Sequence, residues 1–261
     1  MSDLIHLTAP AKLTWSLHVG PRTSEGLHSL EAEMMSLDLV DDLVVDCSQS
    51  GVTVSAEGVS IEAVPHNQEN LVARALAMVG REAGVSITKR IPVGGGLGGG
   101  SSDAAAILRW AGCDDMTAAA TLGSDVPFCI QGGRAMVRGI GELVEPLSYV
   151  SRTVVLCLVP ISVNTGLVYQ AFDELERGGD LQRGRNDLTQ AAALVQPRLA
   201  DISRALHHEI GVDVTLAGSG STLFVEGSKK QLGIENMTTL NVGDLECRLV
   251  ECVSLKPETG W

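Results

Sequence analysis

The chain has 261 residues, of which 44% are hydrophobic and 20% charged, a composition typical of a globular protein with one or two domains. Its net charge of −13 argues against binding of a nucleic-acid backbone, which needs a basic surface. The six cysteines form no Cys-x-x-Cys pair, and the sequence contains neither a signal-peptide pattern nor an apolar run long enough for a membrane span, so we expect a cytoplasmic protein with reduced thiols and no zinc site.

Alternating apolar residues predict strands in the first quarter of the chain, interrupted at Pro10 and by turns that contain acidic residues or glycine. These strands cover residues 4–9, 12–19, 28–39, 43–47 and 52–56. The next segment, 70–83, predicts an amphipathic helix whose apolar face consists of Leu71, Ala75, Leu76, Val79 and Ala83. A strand over 85–91 and a helix over 101–111 then flank a glycine-rich segment.

The rest of the chain mixes strands and helices without regular alternation, which predicts an α+β fold. A short helix over 117–121 and a hairpin of strands over 135–138 and 143–146 come first. The segment 148–153 has no strong pattern and marks the boundary between two domains, 1–150 and 151–261. Beyond it we expect strands over 154–159, 212–216, 222–225 and 246–254, and helices over 165–176 (capped by Asn164), 187–195 and 197–209.

The glycine-rich segment is the most informative part of the chain, because six of the seven residues from Gly94 to Gly100 are glycine. Glycine lets a backbone approach an anion closely, and the first N–H groups of a helix attract negative charge. The segment therefore predicts a loop that binds the phosphates of a nucleotide. It comprises Pro92, Val93, Gly94, Gly95, Gly96, Leu97, Gly98, Gly99, Gly100, Ser101 and Ser102.

Other glycine motifs fit this segment less well. The dinucleotide fingerprint is matched formally, but the match lies mid-chain and lacks the following strand and acidic residue, so an oxidoreductase is a distant alternative. The loop has no Walker A lysine and no protein-kinase strand after it. A flexible linker would rarely be framed by a strand and a helix. Ser101 and Ser102 either cap the helix or contact phosphate, and Asp103 is expected in its first turn, where it favours the helix dipole.

Two further residues are candidates for chemistry. Asp125 stands between Gly123 and Pro127, on a turn or at a helix start. Its carboxylate could accept a proton from a substrate hydroxyl, or it could simply cap a helix. Lys12 lies in an alternating strand, where it either extends to solvent or places an ammonium near a transferring phosphoryl group.

Eight segments, in order along nearly the whole chain, resemble motifs of the GHMP kinases. The strongest is Pro-x-Gly-Gly-Gly-Leu-Gly-Gly-Gly-Ser-Ser-Asp-Ala-Ala at 92–105. The others are Ala-Pro-Ala-Lys-Leu at 9–13, Gly-Leu-His-Ser-Leu at 26–30, Asn-Gln-Glu-Asn-Leu-Val at 67–72, Leu-Gly-Ser-Asp-Val-Pro-Phe at 122–128, Gly-Ile-Gly-Glu at 139–142, Asn-Asp-Leu at 186–188 and Ala-Gly-Ser-Gly-Ser-Thr-Leu-Phe at 217–224.

The resemblance implies the two-domain GHMP kinase fold, with an active site in the cleft between the domains and with ATP and Mg²⁺ as cofactors. It implies Lys12 and Asp125 as catalytic residues and Asn67 and Asn70 as contacts on the adenine side. A serine of the glycine motif would contact the phosphates or Mg²⁺, and no magnesium ligand is assigned. The residues implied on the substrate side are Thr14, Leu27, His28, Asp125, Gly218, Ser219 and Gly220.

The resemblance also implies a reaction. The long form of the glycine motif is similar to that of members that phosphorylate a hydroxyl of a cytidine diphosphate-linked polyol. Two positions depart from their pattern, since Thr14 replaces an asparagine and Leu27 a tyrosine. The alternatives are a GHMP kinase for another small alcohol, of the homoserine or mevalonate type, and a nucleotide-binding protein without catalysis. Nucleic acid and membrane are not expected as partners, and both a monomer and a homodimer remain open.

Overall fold

The computed structural model describes residues 4–24, 26–60, 64 and 69–257, and in this part of the chain two sheets and seven helices form an α+β fold. The first sheet contains β1 (Ile5–Arg22), β2 (His28–Asp46), β3 (Gly51–Ala56), β4 (Gly84–Lys89), β5 (Arg134–Gly139) and β6 (Leu143–Pro146). The second contains β7 (Thr153–Leu158), β8 (Thr215–Leu216), β9 (Leu223–Glu226), β10 (Thr239–Val242) and β11 (Leu245–Val253). The helices are α1 (Leu71–Met78), α2 (Gly99–Trp110), α3 (Met116–Ala120), α4 (Val126–Gln131), α5 (Thr165–Gly178), α6 (Thr189–Val195) and α7 (Arg198–Ile210).

Strand pairing is antiparallel except between β3 and β4. The strand order is β3-β4-β2-β5-β6 in the first sheet, with β1 paired to β2, and β10-β11-β7-β9-β8 in the second. The chain passes from one sheet to the other between Pro146 and Thr153. The predicted domain boundary at residue 150 falls in this connection, and the division into 1–150 and 151–261 stays a prediction.

Two predicted strand breaks are wrong, because β1 and β2 are each one long strand. Pro10 does not end β1, since the pairing with β2 shifts register between Pro10 and Lys12, and at such a bulge the missing N–H of proline is tolerated. Asp41 does not form a turn in β2, since its buried carboxylate pairs with Lys89 and accepts hydrogen bonds from two backbone N–H groups. A buried charge is tolerated where such partners surround it.

The predicted helices exist, with different limits. Helix α1 starts after its N-cap Asn70, as expected, but it ends at Met78 rather than at residue 83, and Gly80 then takes a left-handed φ of 62°. Helix α5 is capped by Asn164, as predicted. The short helix α4 and the strand β10 were not predicted, because neither segment is long enough for its apolar pattern to stand out.

Two hydrophobic cores lie within the described residues. The larger one packs helices of both halves against the sheets. The smaller one lies between the sheets and is built from both halves: Leu13, Trp15 and Met35 of the first meet Leu156 and Phe224 of the second. Because β1 is covered on both faces at this point, its residues alternate between the small core and the opposite face, where Lys12 and Thr14 lie. Among the helices described, none is both long and apolar enough to cross a membrane.

Candidate active site

The glycine-rich loop connects β4 to α2 and passes three times through the left-handed region, with φ angles of 71° at Gly94, 79° at Gly96 and 66° at Gly98. Neighbouring segments press closely against it. A Cβ on Gly96 would lie 2.6 Å from the backbone oxygen of Ala217, and a Cβ on Gly98 would lie 2.6 Å from Cγ of Lys12. Only glycine fits at these two positions. Any other residue would have an unfavourable φ, and its Cβ would clash with neighbouring atoms.

The start of α2 is open to an anion. The helix begins at Gly99, two residues earlier than predicted, and its N-cap is Gly98, which offers no side chain as a cap. The N–H of Ser102 is the first to bond back along the helix, to the oxygen of Gly98 at 2.8 Å. The preceding N–H groups therefore stand at the positive end of the helix dipole without an intrahelical partner.

The two serines of this motif have different surroundings. Ser102 is buried, and its hydroxyl donates a hydrogen bond of 2.7 Å to the backbone oxygen of Pro10. Ser101 is half-buried and lines the pocket beside the loop. Of the two, Ser101 is therefore the serine whose hydroxyl can meet a bound phosphate or cation.

The pocket beside the loop has a volume of about 300 Å³ and is lined by residues 92–96 and 98–101 together with an apolar wall. Leu71 and Ile87 belong to that wall, which gives a flat base a surface to lie on. Asn70, at the rim, caps α1 by accepting a 2.9 Å hydrogen bond from the N–H of Val72. The other asparagine predicted on this side, Asn67, lies outside the described residues.

Lys12 and Asp125 form an ion pair next to the loop, with Nζ 3.1 Å from Oδ2. The lysine side chain is 6% exposed and the aspartate side chain 27%. Asp125 occupies the N-cap position of α4, yet its side chain makes no capping hydrogen bond. The carboxylate therefore faces the ammonium and the solvent-accessible cleft instead of the helix, and a group that accepts a proton from a substrate must be accessible in this way.

A second cavity, of about 310 Å³, opens at this ion pair between the two halves of the chain. Lys12, Asp125 and residues 218–220 line it, and so does Tyr169 of α5. Burial, and then the charge of Asp125, raise the pKa of the Tyr169 hydroxyl. Gly94 and Gly96 line this cavity as well as the pocket at the start of α2, so the glycine loop is a wall common to both.

Thr14 lies deep in this cavity and is buried. Its hydroxyl accepts a hydrogen bond of 3.1 Å from Nζ of Lys12, so the ammonium is held between Thr14 and Asp125. A Cβ on Gly218 would come within 3.6 Å of both Nζ of Lys12 and Oγ1 of Thr14. The arrangement leaves Lys12 little freedom to move away from Asp125.

The loop of residues 217–222 is tied to its surroundings at several points. The side chain of Asn186 donates to the backbone oxygens of Leu216 and Gly218, at 2.8 and 2.7 Å. The N–H of Thr222 donates to the oxygen of Gly95 at 3.1 Å. The second half of the chain therefore contacts the glycine loop directly, through a backbone hydrogen bond.

Leu27 and His28 lie at the turn between β1 and β2, and neither lines the cavity of Lys12 and Asp125. The imidazole of His28 is engaged at both nitrogens, with the backbone oxygen of Gly20 at 2.9 Å and Asp173 Oδ1 at 2.8 Å, and it stacks on Tyr169. Leu27 is 51% exposed. The histidine ring therefore holds the turn in place, whereas the leucine side chain is open to a ligand.

Known proteins with similar sequences indicate the family to which this chain belongs. A model of the GHMP kinases N terminal domain matches residues 70–133. A 4-diphosphocytidyl-2-C-methyl-D-erythritol kinase from Paracoccus denitrificans is 34% identical over 233 residues, which cover 83% of this chain and 84% of that enzyme. The enzyme of the same name from Ruegeria pomeroyi is 33% identical over 84% of this chain and 88% of its own.

This chain belongs to the GHMP kinases. A crystal structure of 4-(cytidine 5'-diphospho)-2C-methyl-D-erythritol kinase superposes on it with a TM-score of 0.71 and 30% identity, over 96% of this chain and 99% of that one. Structures of homoserine kinase share the fold at lower identity, as the one from Cytophaga hutchinsonii does at 16% with a TM-score of 0.60. The family and fold predicted from the motifs are confirmed.

Around the cleft of this GHMP kinase, the predicted residues fall into three groups. Residues 92–102 and Asn70 surround the pocket at the start of α2, except that Leu97 and Ser102 are buried beneath it. The residues that meet in the second cavity are Lys12, Thr14, Asp125, Gly218, Ser219 and Gly220. Leu27 and His28, at the β1–β2 turn, line neither cavity, although His28 stacks on Tyr169 of the second one.

Three charged residues and one tyrosine near the cleft of this GHMP kinase were not predicted from the sequence. Lys89 and Asp41 are buried and bonded to each other beneath the glycine loop, and Asp173 anchors the β1–β2 turn. Lys89 shares its strand face with the buried Val85 and Ile87, and this alternation in the sequence indicates that Lys89 is buried too. Nothing local to Tyr169 marks it as a residue of the cleft.

Proposed function

We propose that this GHMP kinase transfers the γ-phosphoryl group of ATP to the 2-hydroxyl of 4-diphosphocytidyl-2-C-methyl-D-erythritol. One observation carries the proposal. The glycine loop separates a pocket with an open helix start from a cavity that holds the Lys12–Asp125 pair, so a phosphoryl donor and a hydroxyl acceptor would meet at the loop. The names of the relatives, which are 31–34% identical over most of the chain, support this substrate.

The residues of the donor pocket fit a nucleotide triphosphate. Glycines at positions where a Cβ would clash leave the backbone bare, and the unpaired N–H groups of Gly99, Gly100 and Ser101 would hold the phosphates. Ser101 would hold Mg²⁺ together with those phosphates, and the ion would neutralise charge on the transferring group. In a protein of net charge −13, these local donors offset the repulsion between the protein and a polyanion.

The acceptor side would work through two residues. Asp125 would accept the proton of the attacking hydroxyl while the new oxygen–phosphorus bond forms. Lys12, held in place by Thr14, would stabilise the negative charge that develops on the transferring phosphoryl group. Phosphoryl transfer depends mainly on positioning and electrostatics, so a pair fixed beside the loop supplies what the reaction requires.

The β1–β2 turn favours a second candidate, a GHMP kinase that acts on another small alcohol. Leu27 replaces the tyrosine of the family pattern, and a leucine cannot stack on a pyrimidine as a ring does. Tyr169, however, presents an aromatic ring in the acceptor cavity; His28 stacks on one face of this ring, and a cytosine would stack on the other. This ring is why we retain the cytidine diphosphate substrate as the first proposal, in a cytoplasmic enzyme.

The experiment is a coupled assay of ADP release with the cytidine diphosphate-linked polyol, homoserine and mevalonate as acceptors. We expect turnover with the first alone. For Asp125→Asn we expect kcat to fall by about 10²- to 10⁴-fold, because the acceptor of the hydroxyl proton is lost. ATP binding, measured by titration, should hardly change. Asp115→Asn is the matched control, since Asp115 caps α3 and an asparagine caps equally well.

Three outcomes would contradict the proposal in different ways. Turnover of homoserine or mevalonate in preference to the cytidyl compound would establish the second candidate. Equal turnover by the wild type and Asp125→Asn would remove Asp125 from the chemistry. ATP binding without turnover of any of the three acceptors would favour a nucleotide-binding protein without this catalysis.

A further inference from the structure

Another cavity, of about 630 Å³, lies in the second half of the chain. The segment 182–186, helices α6 and α7 and strand β8 contribute its walls. It has about twice the volume of the donor pocket or of the acceptor cavity, and none of the residues that line it lines either of those. Small-molecule sites have volumes of roughly 300–1,000 Å³, so this cavity can hold a ligand of its own.

A buried asparagine lies between this cavity and the acceptor cavity. Nδ2 of Asn186 donates to the backbone oxygen of Leu216, which lines the first, and to that of Gly218, which lines the second, at 2.8 and 2.7 Å. Its Oδ1 accepts a hydrogen bond of 2.9 Å from the N–H of Leu188. Because both polar atoms of this side chain are engaged, the wall is fixed and the two cavities remain separate.

The lining of the cavity includes an apolar surface with a hydroxyl beside it. The side chains of Leu199, Leu216 and Leu223 are buried and form this apolar surface. Thr215, next to Leu216 in β8, is only 8% exposed, yet its hydroxyl has no hydrogen-bond partner among the residues that the structure describes. Since a nearly buried polar group is normally paired, a polar atom of a ligand would be stabilised at this hydroxyl.

Three arginines line the cavity in a protein whose net charge is −13, and one of them already has strong partners. The guanidinium of Arg183 lies 2.6 Å from Oδ2 of Asp187 and 2.8 Å from Oε1 of Glu176. These two carboxylates more than balance its charge. Arg183 therefore holds the wall of the cavity together and is not free to bind a ligand.

The other two arginines are available to a ligand. Arg185 forms no ion pair within the described part of the chain; its guanidinium lies 3.7 Å from the ring centre of Trp15, and its Nε donates to the backbone oxygen of that residue. Arg204 pairs with Asp201 on the same helix, and an exposed pair of this kind contributes little stability. Asp213 is the one carboxylate among the described residues that line the cavity, so positive groups outnumber negative groups at its surface.

We propose that this cavity is a second ligand site, which binds a small phosphate ester with an apolar body. Arg185 and Arg204 hold the phosphate, because a guanidinium pairs with phosphate oxygens through two parallel hydrogen bonds. The hydroxyl of Thr215 donates to one of those oxygens, and the buried leucines cover the body of the ligand. The site is separate from those of ATP and of the acceptor, and it does not depend on which acceptor the enzyme uses.

The test is calorimetric titration of the full chain with phenyl phosphate, in the presence of a saturating non-hydrolysable ATP analogue and Mg²⁺. Phenyl phosphate carries both a phosphate and an apolar body, whereas inorganic phosphate and phenol each carry one of them. We expect phenyl phosphate to bind one site per chain, at least tenfold more tightly than either fragment. Arg204→Gln should weaken this binding about tenfold and Thr215→Val severalfold, because each removes a hydrogen bond to the phosphate.

Arg198→Gln is the matched control. Arg198 lies on the same helix as Arg204 and pairs with one aspartate, Asp244, but it does not line the cavity, so this variant should bind as the wild type does. Absence of saturable binding by the wild type would overturn the proposal. Equal affinity of the wild type, Arg204→Gln and Thr215→Val would overturn it as well, since the compound would then bind elsewhere. Phenol bound as tightly as phenyl phosphate would refute the class of ligand.

A crystal structure of the wild type with phenyl phosphate covers a variant that fails to fold. Density for the compound between α6 and α7 supports the proposal, whereas density only at the glycine loop or beside Lys12 refutes it. The ADP-release assay tests the proposed function separately, so the failure of either proposal can be told from the failure of the other.

Discussion

At the scale of single residues, Asp173 joins the two halves of the chain beside the β1–β2 turn. Its carboxylate lies within contact of the Arg22 guanidinium and accepts a hydrogen bond from His28, the two residues that flank the β1–β2 turn. Partial burial acts to raise the pKa of Asp173, but the hydrogen bonds from Arg22 and His28 outweigh it and lower that pKa. The ionised carboxylate is therefore part of what holds the turn against α5.

The lowered pKa of Asp173 predicts how the stability of the protein depends on pH. A carboxyl group with a folded-state pKa below its ordinary value of 3.8 contributes stability that is complete above that value and is lost as the pH falls through the folded-state pKa. We expect Asp173→Asn to melt below the wild type at pH 7, with a difference that shrinks once the pH drops below 3.8. Thermal melts at a series of pH values measure it.

Glu174→Gln serves as the control for Asp173→Asn, because it removes an exposed carboxylate from the same helix. It should follow the wild type at every pH. A difference between Asp173→Asn and the wild type that stays constant down to pH 2 would show that the charge of Asp173 is not what stabilises the turn.

At the scale of elements, the glycine loop needs glycine for two reasons: the left-handed φ angles and the lack of space for a Cβ atom. Two of its glycines allow these two effects to be tested separately. Gly94 and Gly96 both have a left-handed φ, but only at Gly96 would a Cβ collide with backbone atoms, those of Ala217 and Gly220, at 2.6 and 2.8 Å. Nothing lies within 4 Å of a Cβ on Gly94. The pair therefore offers a matched comparison.

We expect Gly94→Ala to cost about 1–3 kcal/mol of unfolding free energy, from the backbone conformation alone. Gly96→Ala should cost more and should also weaken nucleotide binding, because the loop must move away from residues 217–220. Urea unfolding and titration with an ATP analogue measure the two effects. Equal stability and equal affinity for the two variants would mean that the contact between the loops is unimportant.

The elements also show how far local sequence reasoning extends. The helix start at Asn70 and the cap at Asn164 were predicted correctly, because a capping side chain acts on amides two or three residues away. The break at Asp41 was wrong for the opposite reason. Its stabilising partners are Lys89, Arg90 and Ile91, about fifty residues later, and no local pattern reveals them.

At the scale of the whole molecule, the small core between the sheets makes the two halves depend on each other. Leu13 of β1 is fully buried there against residues of the second sheet. Trp15, two residues on, also lies between the guanidinium groups of Arg152 and Arg185, at 3.9 and 3.7 Å from its ring centre. Neither half can bury these residues alone.

We therefore expect the chain to unfold in one transition, with coincident curves by tryptophan fluorescence and far-ultraviolet circular dichroism. Leu13→Ala should lower the free energy of unfolding by about 2–5 kcal/mol, because it opens a cavity that both halves line. Leu143→Ala, at an exposed position, should have little effect. Two separate transitions in the wild type would show that the halves fold independently.

The sequence by itself determined the family, the α+β class and the place of the glycine-rich loop, because glycine content, helix caps and motif order are properties of short segments. Asp125 and Lys12 could be identified as candidate site residues in the same way. The simpler alternative was a helix cap for Asp125 and a surface lysine for Lys12.

Only the tertiary structure excluded those plain alternatives. It turned the Asp125 carboxylate away from its helix and toward Lys12, engaged both nitrogens of His28, and brought Asp41, Lys89 and Asp103 together beneath the loop. Each of these results is a contact between residues distant in sequence. Such contacts are set by strand register and by burial, and they exist only once the two sheets have packed against each other.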